Sequence, residues 1–133
     1  MTISIENIDN VRSRIEVAAH YLTKTLANHL CEEKCQKFHD ALIWLMHQKY
    51  CHHWFPENPR RGQGYRCIEL RQTGPVDRLI QQAAFQIDLK YSDLMIPPNV
   101  TVWIDPDEVA YRYGDHGSVS AFDFHSFDIC TSK

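Results

Sequence analysis

His52, His53 and Glu57, flanked by Cys51 and Cys67, form the stretch of this chain best stocked for catalysis. A cysteine beside a histidine is the pairing that yields a thiolate nucleophile. Neighbouring residues on an extended chain point to opposite sides, so His52 and His53 are poorly placed to serve one metal or one proton transfer together. No phosphate loop, oxyanion-hole motif or His-Glu-x-x-His pair accompanies them. These side chains are expected to cap a helix end and a loop. Cys31, Cys35 and His39 recur at intervals of four, which puts three potential zinc ligands on one helical face. A fourth ligand at suitable spacing and a Cys-x-x-Cys pair are both missing. No metal and no cofactor is expected, and a metal-dependent enzyme is the weakest reading.

Binding chemistry is better represented. Arg60, Arg61, Arg66, Arg71 and Arg78 make the middle third basic, with Trp54, Phe55 and Tyr65 interleaved. A groove of cations and aromatic rings is what single-stranded RNA requires, so an RNA-binding module using this loop is the alternative reading. The surrounding chain is acidic and lacks the strand signature of an RNA-recognition sheet. The arginines therefore read as solvated loop charges and most of the aromatics as core plugs. Asp105, Asp107 and Glu108 gather around Pro106. At its plainest this is a turn in which Asp105 bonds nearby backbone amides. Trp103 precedes Asp105 by two residues, which on an extended strand puts both on one face. A tryptophan rimmed by carboxylates is the pattern of an interface hot spot.

Elements that could position these residues follow from periodicity. Ile8, Val11, Ile15, Ala18, Ala19, Leu22, Leu26 and Leu30 predict a helix from Ile5 to Leu30, capped by Asn7 or Asp9. Asn28 and then Glu32-Glu33 predict a break and a second helix to Tyr50. Its buried face is Cys35, Phe38, Leu42, Leu45 and Met46, widened by Ala41, Ile43 and Trp44, so it should be the more enclosed of the pair. Pro56, Pro59, Gly62 and Gly64 force a turn, and Arg66 to Arg71 alternates like a half-buried strand. Pro75 suits the first position of a third helix running to Ile87, and Ser92-Asp93 starts a short turn that Pro97-Pro98 ends. Strands are predicted at Val100–Ile104, Val109–Tyr113 and Ser118–Phe124, with Gly114–Gly117 as a hairpin loop. The class is α+β: one compact domain over 1–124, an antiparallel helix pair and further helices on a small, mostly antiparallel sheet, then a tail over 125–133.

Composition sets the outer limits. A chain of 133 residues with 44% hydrophobic content is long enough for one real core. Fourteen basic against seventeen acidic residues give a net charge of −3, which argues against affinity resting on phosphate neutralisation. No apolar run approaches the roughly 20 residues a bilayer span needs. Met1 to Glu6 lacks the pattern of a secretory signal, and the five cysteines form an odd set. An intracellular chain without membrane attachment is expected, with cytoplasmic and nuclear residence both open.

Tyr50–Ile68, with His-His-Trp-Phe-Pro-Glu and then Gly-Gln-Gly-Tyr-Arg-Cys-Ile, resembles the first signature box of the BTG/Tob antiproliferative family. Val100–Gly114, with Val-Trp-Ile-Asp-Pro-Asp-Glu-Val, resembles the second. The resemblance implies a compact α+β domain whose boxes dock the DEDD-type exonuclease subunit of the Ccr–Not deadenylase complex. It implies a non-enzymatic adaptor that promotes mRNA deadenylation and restrains proliferation. Carried over by position, the partner-binding residues are Tyr65, Trp103 and Asp105, with Glu108 alongside. Lys49, Cys51, Asp107 and Gly74–Asp77 depart from the family's usual pattern, which bears on affinity and partner choice.

Overall fold

Apolar residues at helical spacing bury one broad face of α1 (Ile5–Ala27): Val11, Ile15, Ala18, Leu22 and Leu26 are all sealed in the core. Residues 28–31 turn the chain into α2 (Glu32–Tyr50), and the two helices pack along each other. The computed structural model describes residues 5–122. Beyond α2 come one helical turn, α3 (Gln63–Arg66), then β1 (Cys67–Arg71), α4 (Arg78–Gln86) and a 3-10 turn at Tyr91–Asp93. The described chain closes with β2 (Asn99–Ile104), β3 (Val109–Tyr113) and the short β4 (Ser120–Ala121). All neighbouring strands are antiparallel, in the order β1-β2-β3-β4. This is the α+β class that the periodicity predicts.

Strand alternation decides which face of the sheet the helices cover. Ile68 and Leu70 on β1, Val100, Val102 and Ile104 on β2, and Val109 on β3 enter one core with α1, α2 and α4. Their neighbours Cys67, Glu69, Trp103 and Arg112 project from the opposite face, where Cys67 pairs with Trp103 and Trp103 with Ala110. Tyr21 of α1 stacks on Tyr111 and meets Phe122 edge-on, anchoring the far strands to the helices.

Several expectations change. α1 is more enclosed than α2, because Trp44 remains 56% exposed while Cys35, Ile43 and Leu45 are only half-buried. Helix α1 is already formed at Ile5, so Asn7 and Asp9 lie within it. α4 begins after Asp77, whose carboxylate accepts from the amides of Leu79 and Ile80; Pro75 lies upstream of the helix. A side chain that satisfies two orphan amides wins over the fixed φ of a proline. The short turn occupies 91–93, ahead of Leu94, which is buried. β4 is confined to Ser120–Ala121; Asp123, Phe124 and the tail 125–133 lie outside the described residues.

Candidate functional site

Arg66 holds the two sequence boxes together. It closes the single turn α3, directly before β1, and is fully buried. All five of its N–H donors are used. Nε donates to the Ile104 carbonyl at 2.7 Å, and Nη1 donates to the carbonyls of Arg61 at 2.8 Å and of His53. Nη2 donates to the Pro59 carbonyl at 2.9 Å and to Asp105 Oδ1 at 3.0 Å. One guanidinium thus organises the first-box loop at three points and fastens it to the end of β2. Gly62 lies against this group with φ 75°, and a Cβ there would come 3.0 Å from Arg66 Nη1. Only glycine meets both requirements without strain.

Asp105 answers from the second box. Its side chain is 2% exposed and also accepts from Gln63 Nε2 at 2.6 Å and Arg60 Nη1 at 3.2 Å. The strand ends at Ile104, and the amide of Asp105 turns back to the Glu108 carbonyl, so its carboxylate faces the interior while Trp103 faces outward. The shared face expected of these two residues is absent, because alternation stops where Pro106 ends the strand. The plainer expectation, Asp105 bonding nearby amides, is corrected too: its carboxylate takes side-chain donors. Any part Asp105 takes in docking passes through the loop it holds. Asn10 and Arg14 of α1 complete the seam, both donating to the Pro106 carbonyl, while Trp54 Nε1 donates to Asn10 Oδ1 at 2.8 Å.

Three other box residues reach the surface. Tyr65 is 55% exposed on the α3 turn, its ring stacked on His53 at 4.0 Å and 8°. Trp103 is half-buried on the outer sheet face, with the Arg112 guanidinium 5.4 Å from its ring centre. Tyr65 precedes the strand partner of Trp103 by two residues, so their backbones are within roughly 13 Å. Glu108 stands at the rim, 39% exposed, and accepts from Arg60 Nη2 at 3.3 Å. The structure thus brings Tyr65, Trp103 and Glu108 to one end of the sheet and withdraws Asp105 beneath them.

The same geometry bears on the catalytic and metal candidates. Burial pushes the Cys67 thiol up to about 11, the reverse of what a thiolate nucleophile needs. Cys35 Sγ donates to the Ala27 carbonyl at 2.8 Å, which ties α2 to the end of α1, and His39 Nδ1 meets Asp40 at 3.3 Å. Among the described residues, no three His, Cys, Asp or Glu side chains converge as a metal site would require. No helix among them is long and apolar enough to cross a membrane. The arginines expected to be solvated divide: Arg66 is interior, Arg60 is spread over carboxylates, and Arg61 lies 4.2 Å over the Phe55 ring.

Asn10, Arg14, Gln63 and the clamping role of Arg66 escape a reading by residue type. For Arg66 no signal was present, because it closes the single turn α3 and lies outside the alternating strand. For Asn10 and Arg14 none was, since each acts across the fold on Pro106.

The chain is similar to known proteins in sequence and in fold. The model of the BTG family matches residues 11–123. Protein BTG1 of Gallus gallus is 44% identical over 99 residues, covering 73% of this chain and 55% of that protein. Protein BTG3 of Homo sapiens is 34% identical over 120 residues, covering 89% and 47% respectively. Protein BTG1 of Homo sapiens is 40% identical over 109 residues, covering 79% and 63%. The chain thus spans about half to three-fifths of these relatives' length. A solved BTG/Tob domain of C. elegans FOG-3 superposes with a TM-score of 0.63 at 17% identity, covering 93% of this chain and 96% of that one; this supports the fold.

Proposed function

The chain belongs to the BTG family, and on that premise we propose that it is a non-enzymatic antiproliferative regulator working inside the cell as an adaptor. Its partner in this reading is the DEDD-type deadenylase subunit of the Ccr–Not complex, and its effect is to promote deadenylation of messenger RNA. The observation that carries the reading is the convergence of both boxes on one end of the sheet. There Tyr65 is exposed and pre-oriented by His53, and Trp103 stands on the face the helices leave open. Two aromatic side chains with little left to lose in rotamer freedom make an economical anchor. The raised Cys67 thiol supports a role without catalysis. Arg60 and Arg66, engaged by the protein itself, remove much of the support for an RNA surface.

Affinity purification of the chain from its own cells, followed by mass spectrometry, tests this reading. Recovery of the deadenylase subunit with wild type, and its loss with Trp103→Ala, is the expected result. Submicromolar binding of single-stranded RNA at physiological salt, without recovery of the nuclease, would replace it with the RNA-binding reading.

A further inference from the structure

We propose that Arg112 is a specificity-determining residue of the docking face, and that it takes a carboxylate of the partner, an Asp or Glu side chain, beside the recess that receives Trp103. The proposal rests on the docking reading above and deepens it by naming the residue and the group it recognises. Alternation along β3 puts Arg112 on the open sheet face, directly across from Thr101 of β2. Its guanidinium lies 5.4 Å from the centre of the Trp103 ring. A cation stacked on an aromatic ring is already oriented before any partner arrives.

The other cations nearby are already answered. Arg60 donates to Asp107 and Glu108, and Arg66 to Asp105. Arg71, which shares the open face, stands 3.9 Å from Glu69 and 3.7 Å from Asp115. Arg61 is exposed over the Phe55 ring, where water reaches it. Arg112 differs from all four. It is half-buried, no hydrogen bond or ion pair among the described residues includes it, and its Nε is sealed from water without an acceptor. Glu69 lies in the same cross-strand row, but on the far side of Thr101, and it engages Arg71 instead. A partner that closes over Trp103 must also remove water from this guanidinium. A cation dehydrated without a counter-charge is costly, and a carboxylate in the partner offsets that cost. Neutral carbonyls would occupy its donors and leave the charge uncompensated. A partner presenting a cation at this point is repelled, so one side chain both attracts the right surface and excludes the wrong one.

Titration of the deadenylase subunit with the full chain tests this, with thermal unfolding to confirm that each variant is folded. Arg112→Met keeps an apolar stem against Trp103 and removes the charge, and should weaken binding about 10- to 30-fold. Arg112→Lys keeps the charge and should stay within about fivefold of wild type. Arg112→Glu should weaken binding by more than about 100-fold, whereas Arg71→Met should stay within about threefold of wild type. The partner is then varied, each of its surface Asp and Glu residues in turn being replaced by Lys. One such replacement should weaken binding of wild type yet bind Arg112→Glu at least about tenfold better than the unaltered subunit does. An Arg112→Met that binds within about twofold of wild type overturns the proposal. So does a weakening of Arg112→Glu that no replacement in the partner relieves, which marks carbonyl acceptors or simple support of the Trp103 ring. An Arg71→Met weakened as much as Arg112→Met also overturns it, since net charge and not one contact would then steer the partner. A wild type that does not bind, or a folded Trp103→Ala that binds as well as wild type, refutes the docking reading itself and the proposal with it.

Discussion

Arg66 and Trp103 come from the two boxes and lie at the same end of the sheet, in opposite surroundings. Arg66 is a cation with no exposed surface and every donor used. Trp103 is a large apolar ring, half-buried beside Arg112 on the sheet face opposite the one that packs on α1, α2 and α4. Residue type alone would assign them the other way round, the arginine to solvent and the tryptophan to the core. The boxes therefore contain two populations. Arg66, Asp105, Trp54 and Gly62 join box to box and box to α1, and what they join is a platform for Tyr65 and Trp103. A family signature of this kind records a clamp as much as a contact surface.

The comparison breaks most severely at the clamp. Arg66→Met keeps the length of the side chain but leaves Asp105 buried without its cation, and this should cost about 3–5 kcal/mol. Thermal unfolding should fall by roughly 10–25 °C, or the chain should fail to fold. A variant that melts like wild type would show that the seam contributes nothing. Trp54→Ala should follow at about 3 kcal/mol, from the cavity it leaves and from the lost bond to Asn10. Asp77→Ala removes the cap of α4, away from both boxes, and should cost about 1 kcal/mol without touching partner binding. Tyr65→Ala should change stability least, within about 0.5 kcal/mol, since its ring is mostly in solvent.

A pH measurement sharpens the same division. With its thiol raised to about 11 by burial, Cys67 is protonated at neutral pH, so its alkylation should be slow there. The rate should climb about tenfold per pH unit as the solution approaches that value, because the thiolate is the nucleophile. Peptide mapping after timed iodoacetamide treatment measures it residue by residue. Rapid labelling of Cys67 near pH 7 would place it in an open, activated site and reopen the catalytic reading.

Helices, strands and class were legible because burial imposes period: α2, β2 and β3 fall within a residue of where their apolar residues predict. Caps were less legible. Asp77 and Pro75 are both credible starts for α4, and only the fold shows which supplies the amide bonds. At the candidate site the resemblance names Tyr65 and Glu108, and the structure leaves Tyr65 55% exposed and the Glu108 side chain 39% exposed. Asp105 was misplaced because strand alternation was carried one residue past the end of the strand. Asn10, Arg14 and Gln63 were invisible, because a hydrogen bond between residues remote in sequence leaves no local pattern.

Isothermal titration of the isolated deadenylase subunit into wild type, Tyr65→Ala and Trp103→Ala, with thermal unfolding of each, measures the central claim directly. Loss of a central interface aromatic should weaken binding by about 30- to 1,000-fold, equivalent to about 2–4 kcal/mol, while each variant stays folded. A folded Trp103→Ala that binds as tightly as wild type, or one that unfolds the chain, would contradict it.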